Sequence, residues 1–170
     1  MAESTTSQKF FSPSRGELTL DTALAIMEEY QQVEPNCSYR LYIGTDSLPS
    51  NHHAAILVTA IVLHREGNGG MYIWRRQRFD ALATLRDRMY QEALSSIEAA
   101  KMIAAHPKSA TILRGDIEIH VDIGHQGPTR EMIKEIVGMV TAHGFPVKTK
   151  PSAVAASTVA DRHTIPCAAQ

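Results

Sequence analysis

Two periods run through this chain, an alternation of apolar and polar residues in some stretches and a recurrence every third or fourth position in others, which separate strands from helices. Residues 1–13 show neither and read as a flexible leader, with Ser14-Arg15-Gly16 as a turn. From Thr19, the apolar positions Leu20, Ala23, Leu24, Ile26 and Met27 keep helical spacing until Glu34-Pro35-Asn36 stops them. Leu41-Tyr42-Ile43-Gly44-Thr45-Asp46-Ser47 is crowded with aromatic and β-branched residues and ends at turn formers, Leu48-Pro49-Ser50-Asn51, so it predicts a strand with Asp46 at its carboxyl end. A β-branched run over 55–64, the turn Glu66-Gly67-Asn68-Gly69-Gly70 and a second run over 71–78 predict an antiparallel hairpin. A helix over 82–105 follows. Ile117-Glu118-Ile119-His120-Val121-Asp122-Ile123 alternates almost strictly, then Gly124-His125-Gln126-Gly127 turns through Pro128 into a helix over 131–142. A short strand over 145–150 and a last helix, capped by Ser152 and carrying Ala155, Ala156, Val159 and Asp161, complete the order β-β-β-α-β-α-β-α. Residues 14–170 therefore read as one α/β domain.

Composition fits that domain. Of the 170 residues, 44% are hydrophobic and 21% charged, enough apolar material for one core. The formal net charge is −1, so the molecule as a whole offers no strong attraction to nucleic acid and any such binding is local. Cys37 and Cys167 are the only cysteines, which argues against a disulfide framework or a cysteine-based zinc site. The polar start lacks the apolar run of a signal peptide, and no stretch is long enough to span a bilayer. A reduced, cytoplasmic compartment is the expectation.

The chemistry-bearing candidates are acids. Asp46 shares a strand face with Tyr42 and Gly44, and the glycine leaves room beside the carboxylate for a ligand or ion. Glu92 falls inside the apolar stripe of its helix, formed by Leu82, Leu85, Met89, Ser96, Ala100 and Ile103, whereas Asp87 and Glu98 fall opposite. A carboxylate in a core-facing stripe needs a partner or a cation; Arg86 or Arg88 on the same helix is the structural candidate. Asp122 repeats the pattern of Asp46, and two such acids on adjacent strands raise one another's pKa unless a divalent ion intervenes. Asp161 by itself reads as an ordinary helix acid.

At these residues the chain resembles the ribonuclease H-like fold. Ile43-Gly44-Thr45-Asp46-Ser47, Leu85-Arg86-Asp87-Arg88 with Glu92-Ala93, Ile119-His120-Val121-Asp122-Ile123-Gly124, and Lys150-Pro151 with Ala156-Ser157 and Ala160-Asp161-Arg162 are similar to the YkuK-type family of bacterial ribonuclease H-like proteins. Leu48 stands where that family's first motif continues with glutamine. The resemblance implies a five-stranded mixed sheet whose first three strands are antiparallel, flanked by helices. It further implies a nuclease using two Mg²⁺ or Mn²⁺ ions, with Asp46 bridging both, Glu92 and Asp122 completing the first site and Asp161 holding the second. Two such ions about 3.5–4 Å apart clamp the attacking and leaving oxygens of a phosphodiester.

His120 shares the face of Asp122 and His163 follows Asp161 by two residues; each is a candidate to shuttle a proton or to play a supporting role. His52 and His53 read as loop histidines facing solvent. For grip on RNA, DNA or a hybrid, Trp74, Arg75, Arg76 and Arg78 in the third strand and Lys148 and Lys150 before the last helix are the candidates. A charged edge strand explains the arginines equally well. A non-catalytic nucleic-acid or protein-binding module on the same fold is the alternative function, and a homo-oligomer stays open. An actin-like phosphohydrolase is suggested only by residues 122–129, and no Gly-x-Ser-x-Gly elbow supports a serine hydrolase.

Overall fold

The computed structural model describes residues 8–49, 54–112, 117–124 and 130–164. Its elements in chain order are β1 (Phe10–Ser12), β2 (Gly16–Leu18), α1 (Leu20–Val33), β3 (Tyr39–Pro49), β4 (Ala55–Arg65), β5 (Gly70–Phe79), α2 (Leu85–Ala104) and α3 (Ser109–Ile112). They continue with β6 (Ile117–His120), a 3-10 turn (Arg130–Met132), α4 (Ile133–Ala142), β7 (Val147–Lys148) and α5 (Val154–Thr164). The strands form one mixed sheet in the order β2-β1-β5-β4-β3-β6-β7. β3, β4 and β5 are antiparallel, with Ile43 opposite Ile61 and Ile61 opposite Ile73, while β6 runs parallel to both β3 and β7.

Among the described residues the sheet therefore has seven strands, not five. The two additions fall in and just after the stretch expected to be a leader: Phe11 pairs with Trp74, Pro13-Ser14-Arg15 turns β1 into β2 with Gly16 already paired to Ser12, and Phe10 is fully buried. Three residues are too short for alternation to register, and the burial of a single phenylalanine is what anchors them.

Period-two alternation sorts the strands into two faces. Leu41, Ile43, Ile61, Leu63, Ile73, Ile117 and Ile119 join residues of α1, α2 and α4 in the main core. Full burial of each isoleucine is worth about 1.5–3 kcal/mol. On the other face Val58 and Ala60 pack with Ala160, Val159 and Trp74, so α5 covers that side through a much smaller cluster. α2 starts at Thr84, whose hydroxyl accepts the Asp87 N–H while the Asp87 carboxylate accepts the Thr84 N–H. This reciprocal cap, worth about 1 kcal/mol, accounts for Asp87. Gly67 and Gly69 take positive φ in the β4–β5 turn, a conformation that ordinary side chains resist. No helix among the described residues is long and apolar enough to cross a membrane.

Candidate active site

Asp46 lies inside β3, opposite Val58, and not at the strand's end: β3 runs on to Pro49. What stops near Asp46 is the pairing with β6, whose last register pair is Gly44 with His120. Asp122 follows two residues after that last pair, and its charge reaches Asp46, which lies on the face that α5 covers. The chain beyond β6 stays extended, because the Val121 N–H donates to the Lys148 carbonyl and the Lys150 N–H to the Ile123 carbonyl. One strand thus continues paired to β4 while its other neighbour leaves with β7, and the acids sit at the fork.

Glu92 reaches the fork from α2. A run of small residues, Ala93, Ser95, Ser96, Ala99 and Ala100, is buried and lets the helix lie close to the sheet. Ser96 Oγ is 2.8 Å from Thr45 Oγ1, which is 3.0 Å from Thr59 Oγ1, so a buried row of hydroxyls fixes the helix over β3 and β4. One turn earlier, Ser47 Oγ donates to Glu92 Oε1 at 2.5 Å. The helical arginines expected as partners do otherwise: Arg86 pairs with Glu135 at 2.6 Å, and Arg88 acts on Glu92 only as a charge. Glu92 is 5% exposed.

Burial dominates the electrostatics. It pushes the Glu92 carboxyl up to about 8, against the Ser47 hydrogen bond that lowers it, with the charges of Asp46 and Asp122 raising it further. Burial likewise pushes Asp46 up to about 6; the Ser47 backbone N–H lowers it, Asp161 and Asp122 raise it, and Lys150 lowers it. Asp46 is therefore within electrostatic reach of the other three predicted acids. Asp161 itself stands on the exposed side of α5.

Asp122 holds a cation already. Lys150 Nζ is 2.6 Å from Asp122 Oδ1, but the ammonium is not aligned as a hydrogen-bond donor, and that buried oxygen accepts no hydrogen bond. Among the described residues no group of three His, Cys, Asp or Glu is gathered closely enough to hold a metal ion as it stands.

The remaining candidates separate. His120 is 3% exposed; its Nε2 is 2.9 Å from Glu118 Oε1 and its ring stacks on Tyr42 at 4.5 Å, a packed position two residues short of Asp122. His163 stacks on Trp74 at 3.7 Å and its Nε2 lies 3.3 Å from the Tyr72 hydroxyl, so Trp74 is covered and offers no open ring to a base on that side. Arg75 turns to the α2 side and is 1% exposed, which removes it from any contact with phosphate. Arg76 donates to the His163 carbonyl, Arg78 pairs with Asp80, and both lie on the Asp46 face of β5. Lys148 is exposed on β7, whereas Lys150 is engaged by Asp122. His52, His53 and residues 125–129 lie outside the described residues. Two participants escaped the sequence reading: Ser47, whose place opposite Asp46 in the alternation points it at α2, and the pairing of Lys150 with Asp122, for which no local signal exists.

A family model described as Ribonuclease H-like matches residues 22–165, a span that contains all four acids. The chain belongs to the ribonuclease H-like family. It is also 31% identical over 166 residues to "Uncharacterized protein YkuK" of Bacillus subtilis (strain 168), covering 91% of this chain and 96% of that protein. No solved structure matches it. The ribonuclease H-like assignment and the YkuK resemblance agree with the order of the seven-stranded sheet and its flanking helices; the named relative is uncharacterised and carries no activity over to this chain.

Proposed function

We propose that this ribonuclease H-like chain is a divalent-metal-dependent nuclease that hydrolyses phosphodiester bonds of RNA, DNA or a hybrid. The observation that carries the reading is the elevation of two carboxyls, Asp46 to about 6 and Glu92 to about 8, first by burial and then by neighbouring acids, Asp161 and Asp122 acting on Asp46, and Asp46 and Asp122 acting on Glu92. Carboxylates kept in mutual repulsion are costly to the fold, and a cation removes that cost. The donor set fits Mg²⁺ or Mn²⁺: it is all oxygen, and Asp122 Oδ1 already faces a cation, the Lys150 ammonium at 2.6 Å. Asp46, Glu92 and Asp122 would hold one ion, and Asp46 with Asp161 a second. Such ions supply a water of lowered pKa and stabilise charge on the departing oxygen. Ser47 keeps Glu92 oriented, and Arg76 and Arg78, on the same face as Asp46, are the residues we assign to substrate phosphates.

Calorimetric titration with Mn²⁺ of the parent and of Asp46→Asn, with cleavage assays on labelled RNA, DNA and hybrid, tests this. The expected result is metal binding and cutting in the parent, with cleavage reduced about a thousandfold in the variant, a loss of about 4 kcal/mol in transition-state stabilisation. Full activity in Asp46→Asn would remove the assignment. A binding module without catalysis is the second reading, favoured by the ammonium that already sits at Asp122 and by the absence, among the described residues, of a ready three-donor group. Failure of both proteins to bind Mn²⁺ would select it.

A further inference from the structure

Lys150 touches the acid cluster at Asp122, and its placement is built in. Its backbone N–H is tied to the Ile123 carbonyl at 2.9 Å, one residue beyond Asp122, so the side chain starts from a fixed point beside that carboxylate. The ammonium then reaches Asp122 Oδ1 at 2.6 Å, the oxygen that accepts no hydrogen bond from anywhere else. The lysine side chain is 52% exposed, so it has open solvent to swing into.

We infer that Lys150 is an internal counter-cation of the acid cluster: its ammonium pairs with the Asp122 oxygen that would hold a divalent ion, and would release that oxygen on metal binding. The inference rests on the metal-dependent reading above and adds to it a positioning residue that sets metal affinity. Two cations cannot share one carboxylate oxygen without repulsion, so metal binding carries the cost of displacing the lysine. The arrangement neutralises part of the cluster in metal-free protein, which spares the fold an unpaired, partly buried Asp122.

Mn²⁺ titration of the full chain, without substrate, tests this in the parent, Lys150→Met, Lys150→Arg and the double variant Lys150→Met with Asp122→Asn. Lys150→Met is expected to bind Mn²⁺ about tenfold more tightly than the parent, Lys150→Arg within about twofold of it, and the double variant to lose the gain. Without metal, Lys150→Met is expected to melt below the parent, and Mn²⁺ to raise its melting temperature by more than it raises the parent's. Lys150→Gln, measured beside Lys150→Met, guards against a folding defect peculiar to one substitution. Equal or weaker affinity in both neutral variants, with clear binding by the parent, would overturn the role of Lys150 and leave the metal site standing. No binding by any of these proteins would overturn both.

Discussion

Arg75 and Glu92 are both buried where α2 meets the sheet, yet the protein treats the two charges oppositely. Arg75 is met by fixed partners: it donates to Gln8 Oε1 at 2.7 Å, the Ser95 carbonyl at 3.1 Å and Glu98 at 3.0 Å. Burial lowers its pKa, and Glu98 works against that shift. Glu92 has the Ser47 hydroxyl and the more distant charge of Arg88, set against two like charges nearby. A buried charge surrounded by complementary groups fastens elements together. One held among its own kind is kept short of positive charge, which is the state of a site waiting for a ligand.

The contrast predicts a separation of stability from binding. Arg75→Ala is expected to cost about 3 kcal/mol in chemical denaturation, because it strips α2 of its tie to β5 through Glu98 and the Ser95 carbonyl. Its Mn²⁺ affinity should equal the parent's; loss of metal binding in a folded Arg75→Ala protein would erase the distinction. Glu92→Gln should do the reverse. The Glu92 pKa is raised from 4.5 to about 8, so the folded state favours the protonated acid; the stability this confers is complete below the unfolded value and is lost as pH rises through about 8. Asp46 contributes in the same sense between 3.8 and about 6. The metal-free parent should therefore melt higher at about pH 5 than at about pH 8, and Glu92→Gln should gain about 1–3 kcal/mol at the upper end while losing cleavage. Melts in the presence of a chelator decide it, and a parent with equal stability at both values contradicts the electrostatics. The smallest effect is expected at His120. Packed on Tyr42 and paired with Glu118, it should tolerate Gln with cleavage changed by less than about threefold. A loss of a hundredfold or more would move it back among the catalytic groups.

Much of this was legible in the sequence because alternation and helical recurrence are strong where elements are long. β3, β4 and β5 and the helices α1 and α2 follow from them, and Glu92 stood out as an acid in an apolar stripe. Leu85 belongs to that predicted stripe but is exposed, and Ala93, Ile97 and Ala99 are buried instead, since the helix rolls until its small residues meet the sheet. The fate of Arg75 could have been read: it shares parity with buried Ile73, while Arg76 and Arg78 share parity with the opposite face. Asp46 was expected at a strand end because Pro49 looked like a terminator. An edge position tolerates proline, and the partner strand β6, not β3, is what ends there. The pairing of Lys150 with Asp122 depends on two strands separated by α4, and no local pattern encodes it.

The sheet also tapers. Its middle strands are 10 and 11 residues long, while β1 and β2 on one side have 3 residues each and β6 and β7 on the other have 4 and 2. An edge that short gives a second molecule almost no ladder to extend, and the arginines of β5 guard the long strand where β1 meets it only at Phe11. The shape that opens a fork for the acids is thus also a safeguard in concentrated solution, where long bare strand edges would seed fibrils.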